Sequence, residues 1–209
     1  MRISRMVWIS GRGAMRHIVS FGLALAAACL LAPPPLIAQA VEPGKEGELA
    51  RIVAPRQDAR ACFGRIYDAR HLQTHPDQRV AKMDFRLAYE IHEPDQFFPK
   101  GQRNYYFQLR VGLRDQKQGR PLQAFGECAP SADGKRIFCG VECDGGGVVI
   151  RRRDGGKLLI DLAATGRIRM TEGCDDGEED GVELLPGKDD RTFLLNETAA
   201  GQCPAYEDW

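Results

Sequence analysis

His71 and His75 stand four residues apart, a spacing that puts both imidazoles on one face of a helix and suits zinc or copper, with His92 as a third ligand. Pro76 works against that geometry, because a proline drives the residue before it out of the helical region and would turn His75 off the shared face. The pair therefore reads as structural or surface histidine. A second candidate is the acidic run Asp175, Asp176, Glu178, Glu179 and Asp180. With Gly181 as the sixth residue of a calcium loop, Asp176, Glu178 and Asp180 take ligand positions, but the twelfth falls on Gly187 where a glutamate belongs. Like charges in sequence repel and stay wet, so a solvated loop is expected. No metal and no other cofactor is assigned.

Nucleophilic chemistry finds little footing. Beyond residue 40 the chain holds a single serine, Ser131, outside any Gly-x-Ser-x-Gly setting. Gly145-Gly146-Gly147 lacks the lysine and hydroxyl that complete a phosphate loop, and no zinc-protease helix motif is present. The glycine run reads instead as a bend or bulge after Cys143. Two carboxylates could serve an acid–base enzyme, but nothing selects a pair, so no catalytic residue is assigned. Arg151, Arg152 and Arg153 alternate across a strand, which sends at least one of them inward or to a rim, as an exposed strand face or an anion or partner contact. Asn196-Glu197-Thr198 matches a glycosylation sequon, but the Ala- and Arg-rich leader is of bacterial type and sets it aside.

That leader fixes the expected address. Four arginines and no acidic residue precede an apolar run from Ile18 to Leu31, and Ala38-Gln39-Ala40 forms a small-x-small cleavage pattern. Residues 1–40 are expected to be a signal peptide, with Met15 as the initiator and a mature chain that begins near Val41. Cys29 raises lipidation, but Leu30 and Leu31 prolong the apolar run past it and Ala26 is no branched aliphatic. Pro33 to Pro35 break the segment before it reaches the ~20 residues of a membrane span. The expected location is periplasmic or secreted, where disulfides persist, and six of the seven cysteines lie beyond the cut.

Removing the four leader arginines takes 29 basic side chains to 25, against 29 acidic ones. The mature chain is mildly acidic, with no nucleic-acid footprint and no polybasic membrane patch. Residues 41–61 mix prolines, glycines and charges and read as a flexible leader with at most one helical turn. Residues 62–204 form the single β domain, and 205–209 a tail.

Period two dominates that domain. Met83, Phe85, Leu87, Tyr89 and Ile91 alternate with Asp84, Arg86 and Glu90, and Tyr105, Phe107, Leu109, Val111 and Leu113 alternate with Tyr106, Gln108 and Arg110. Each strand is expected to bury its odd face and wet its even one. Shorter candidates run over residues 62–67, 122–129, 136–143, 148–153, 157–163, 167–171 and 192–197. Asp133-Gly134 and Asp154-Gly155-Gly156 are strong hairpin turns, and Thr165-Gly166 a weaker one. Eight or nine antiparallel strands in a meander escape open edges best by closing. The expected fold is an all-β, disulfide-stapled barrel of the calycin and lipocalin type, with a β-sandwich as the alternative.

The turn also pairs two cysteines. A four-residue loop closed by Ser131 and Arg136 places Cys128 opposite Cys139 as a close, non-bonded pair, and leaves Pro130 where no backbone donor is needed. Cys139 and Cys143, on one face of one strand, would be ~13 Å apart at about 3.3 Å per residue, beyond disulfide reach. Cys62 with Cys203 would lock the barrel's ends, leaving Cys143 with Cys174. The expected function is that of an exported, non-enzymatic binding protein. Its ligand would be a small apolar molecule held by Phe85, Tyr89, Phe107 and Leu109 in the barrel interior, or a protein partner met by the loops. An inhibitor-like interaction module and a carboxylate or histidine enzyme are the alternatives.

Overall fold

The computed structural model describes residues 40–115, 121–142, 144–171 and 181–203. Eight antiparallel strands close into a barrel in the order β1-β10-β7-β6-β5-β4-β3-β2. They are β1 (Arg60–Ile66), β2 (Val80–His92), β3 (Gln102–Leu113), β4 (Leu122–Pro130), β5 (Ile137–Gly140), β6 (Gly147–Arg153), β7 (Lys157–Asp161) and β10 (Thr192–Glu197). A separate two-stranded sheet pairs β8 (Ile168–Met170) with β9 (Val182–Leu184). Closure leaves no strand of the barrel with an unpaired edge.

The odd positions face inward as expected. β2 and β3 pair over nearly their whole length, with Phe85 opposite Leu109 and Leu87 opposite Phe107, and Met83, Phe85, Leu87, Tyr105, Phe107, Leu109 and Val111 are buried in one core. Register is set by that pattern, since a slip of one residue would exchange these side chains for Asp84, Gln108 and Arg110.

Cys128 and Cys139 form a disulfide across directly opposed positions. Ser131 N donates to Arg136 O at 2.7 Å, closing the four-residue loop that sets this register. Cys62 is joined to Cys203, a span of 141 residues. Cys143 and Cys174 lie outside the described residues, as do residues 1–39, the acidic run 175–180 and residues 204–209.

Three expectations give way to the structure. The even face of β2 and β3 is not uniformly wet, because Arg86, Asn104 and Gln108 are each only 1% exposed. The strand at Ile168–Met170 stands outside the barrel: Thr165-Gly166 turns the chain away from β7, and β8 bridges instead to Gly146 and, just beyond its end, Thr171 to Gln123. It covers the gap left by β5, which has four residues where 136–143 had been expected. Gly146 makes that approach feasible, since a Cβ there would lie 2.3 Å from Arg167 O. The third concerns residues 41–61, expected to be a flexible leader. They carry α1 (Leu49–Ile52) and pack Val41, Leu49, Ile52 and Val53 into the barrel core.

These additions close both mouths. At one, Tyr105 OH donates to Val53 O (3.3 Å), Val41 N to Arg103 O (2.9 Å) and Arg152 Nη1 to Arg51 O (2.8 Å), which hold the segment around α1 across the opening. At the other, α2 (Ala69–Thr74) follows β1, and Ile168, Met170 and Leu184 of the small sheet are buried in the same core.

Candidate functional site

Phe85, Tyr89, Phe107 and Leu109 are brought together in the interior. Phe85 stacks on Phe107 with ring centroids 5.9 Å apart, and Tyr89 meets Tyr105 edge to face at 4.9 Å. Their exposures are 0%, 3%, 1% and 0% to a water-sized sphere. A side chain with no accessible surface lines no cavity that water could enter, so these four pack against the core rather than around open space. Burial also pushes the Tyr105 hydroxyl well above its ordinary range.

Of the three histidines two stay together and His92 stands apart, so the turn expected from Pro76 does not carry the His75 ring away from His71. α2 begins at Asp68, whose carboxylate accepts from His71 N at 2.7 Å, and ends where His75 leaves the helical region ahead of Pro76. His71 and His75 stack at 4.1 Å, nearly parallel. The His71 Nε2 is 3.0 Å from Gln78 Oε1, and the His75 Nδ1 is 2.9 Å from His71 O. Two ring nitrogens are thus engaged with the chain itself. His92 sits at the far end of the thirteen-residue β2, and no group of three metal-ligating side chains converges among the described residues.

Below α2 lies a buried polar corner. Asp190 accepts from Arg79 N (2.7 Å) and Val80 N (3.3 Å), tying the β9–β10 connection to the start of β2. Burial raises its carboxyl above the ordinary value against those two donors. Tyr67, under the Arg65 guanidinium, is pushed up to about 12 chiefly by burial, with Arg65 opposing and Asp190 adding. The Asp190 carboxylate is thus satisfied by two backbone donors of the chain itself. Ser131 serves its loop, donating to Asp133 Oδ1 and accepting from Arg136 N. Among the three arginines, Arg151 pairs with Asp161 at 3.2 Å and Arg152 reaches Glu197 at 3.7 Å. Arg153 lines a cavity of about 350 Å³ at the α1 mouth together with Glu48 and Arg51, a lining of mixed sign.

The β2–β3 hairpin, which sequence reasoning did not single out, presents the most distinctive surface. Asp95 Oδ1 accepts from Phe97 N (2.8 Å) and Phe98 N (2.6 Å), an Asx turn that fixes the loop tip. Gly101, at φ +67°, closes the loop where a Cβ would lie 2.7 Å from His92 O. Phe98 folds back onto His92 at 5.3 Å while Phe97 stands 75% exposed. Beneath the tip, His92 Nε2 is 2.7 Å from Tyr106 OH, and Asn104 Nδ2 donates to Glu127 Oε1 at 2.6 Å. Burial raises the Glu127 carboxyl, an effect opposed by Asn104 and His92 and reinforced by Glu142. An exposed aromatic thus stands on an ordered loop beside a half-buried polar network. Its signal in the sequence was Asp95-Gln96-Phe97-Phe98 between two long alternating strands.

Fold and site together define a closed, eight-stranded antiparallel β-barrel, stapled among the described residues by two disulfides. No family model, curated protein or solved structure matches the chain.

Proposed function

We propose that this chain is an exported, non-enzymatic interaction protein of the periplasm or the extracellular space, acting on a protein partner through its outer surface and loops. The observation that carries the reading is the filled interior: the side chains expected to hold a small apolar ligand exclude water-sized space, and both mouths are covered. A carrier needs room, whereas a filled barrel leaves its outer surface to make contacts. The β2–β3 tip, with Phe97 as anchor, is the part of that surface best suited to a partner. The disulfides fit an oxidising compartment. Among the described residues no helix is long and apolar enough to cross a membrane.

Native mass spectrometry of the protein purified from its own cells tests this. The expected mass is that of a chain starting near Val41, with no apolar molecule retained and a protein partner that is lost in Phe97→Ser. A stoichiometric lipid or other apolar molecule, released by Phe85→Ala, would overturn the reading in favour of carriage. A chain that keeps residues 1–40 would overturn export.

A further inference from the structure

The outer wall formed by β1, β10, β7 and β6 joins an apolar row to a basic margin. Phe63, Leu195, Leu158 and Ile150 point into the core, so the residues on either side of each face outward. Ladder pairing sets these outward residues in rows. Gly64, Asn196, Lys157 and Arg153 are opposed in turn across the four strands, and the next outward row holds Leu194, Leu159 and Arg151. Ile66, two residues beyond Gly64, extends that second row, and Arg65 before it donates to Leu194 O at 3.1 Å. Ile66 is 75% exposed. In a chain with 29 basic and 29 acidic side chains, the outward positions of these strands carry Arg60, Arg151, Arg153 and Lys157 against Asp161 alone. Arg151 spends its charge on Asp161 at 3.2 Å, and Arg60 reaches Cys203 O at 3.3 Å. Arg153 and Lys157 make no ion pair and no side-chain hydrogen bond among the described residues. They stand directly opposite each other, where like charges cost stability. Other carboxylates at this end of the barrel have their own places: Glu48 pairs with Arg51 at 3.2 Å, Glu197 meets Arg152 at 3.7 Å from an inward position of β10, and Asp154 lies in the turn after Arg153.

We propose that this wall docks an extended acidic segment of a partner protein, with a carboxylate between Arg153 and Lys157 and an aliphatic side chain over Ile66, Leu194 and Leu159. The inference rests on the reading of the chain as an interaction protein and gives that reading a partner chemistry. Charge complementarity selects the occupant. Neighbouring strands run ~4.8 Å apart, so one carboxylate can bridge the two cations, relieving their repulsion and gaining charge-assisted hydrogen bonds. An extended segment repeats its side chains on one face every second residue, about 6.6 Å at ~3.3 Å per residue. The same step separates Lys157 from Leu159 on β7, so an acidic and an aliphatic residue two apart meet the basic and the apolar row together. A basic segment lacks the first contact, and a nucleic acid lacks the second.

A capped peptide of sequence glutamate-serine-glutamate-serine-leucine probes the wall in proton–nitrogen correlation spectra of the full chain. Saturable shifts are expected at the amides of Arg153, Lys157, Leu159 and Leu194, fading as salt rises from ~20 mM to ~300 mM. Arg153→Gln with Lys157→Gln should weaken binding about tenfold, while the variant melts no lower than the parent because it removes a like-charge pair. Ile66→Ser, a change at an exposed position, should weaken binding as well. Equal affinity in the double variant would overturn the proposal, as would the same shifts with lysine in place of glutamate. Shifts produced by a short oligonucleotide or by phosphatidylglycerol vesicles, and not by the acidic peptide, would sink it in favour of those ligands. A native partner kept by the double variant but lost in Phe97→Ser would also overturn this contact, and leave the interaction reading standing.

Discussion

Asn104 on β3 donates its side-chain amide to Glu127 on β4 at 2.6 Å, diagonally across the Tyr106–Glu127 rung. This contact favours the ionised carboxylate, but burial outweighs it and holds the Glu127 carboxyl above its ordinary value of 4.5. A group whose folded pKa is raised adds stability below its unfolded pKa and loses it as pH rises through the folded one. Glu127→Gln should therefore leave stability unchanged in acid and raise it at neutral pH, flattening the profile above about pH 4.5. Thermal melts of both proteins from pH 3 to 8 measure this; parallel profiles would count against the assignment.

Phe85 and Phe107 should behave as packed core. Each truncation to alanine is expected to cost about 3 to 5 kcal/mol, whereas Arg70→Ala, on the exposed face of α2, should stay within ~0.5 kcal/mol. Gln108→Ala should fall between, at about 1 to 3 kcal/mol, because it strips a buried amide from Gln123. Urea unfolding of the four proteins gives the ranking.

The two disulfides should differ in weight. Loop-closure entropy assigns about 2 to 3 kcal/mol to the 11-residue separation of Cys128 and Cys139, and about 4 to 5 to the 141-residue separation of Cys62 and Cys203. Paired Cys→Ser variants, unfolded by denaturant, should show the larger loss for the second. Peptide mapping without reduction should recover both links.

Zinc should shift the melting temperature little, because His71 and His75 spend ring nitrogens on Gln78 and the α2 backbone. Binding to the native state alone adds RT ln(1 + [L]/Kd). A saturable rise that vanishes in His71→Ala would show a metal site after all.

Much of this fold was legible because period two and turn chemistry are local. Asp133-Gly134 alone set the register that joins Cys128 to Cys139, and alternation alone turned Phe85 and Phe107 inward. Alternation says which face meets the core but nothing about what overlies the other, so the burial of Arg86 and Gln108 stayed hidden. The plug around α1 was equally hard to see: Leu49, Ile52 and Val53 lie among prolines, glycines and charges, and burial there comes from the barrel mouth rather than from helix propensity. The Phe97 loop was missed because two adjacent aromatics in a turn have no period to betray them.

The Cys62–Cys203 bond has a mechanical consequence. Tension applied between the two ends of the domain enters near the start of the first barrel strand and leaves just past the last, so it runs through the sulfur bridge and bypasses the strands between. Pulled in an optical trap, the oxidised protein should stretch only by its flanking segments and show no unfolding step for the bridged span. After reduction the same load would reach the β1–β10 seam, whose hydrogen bonds would then part in sequence.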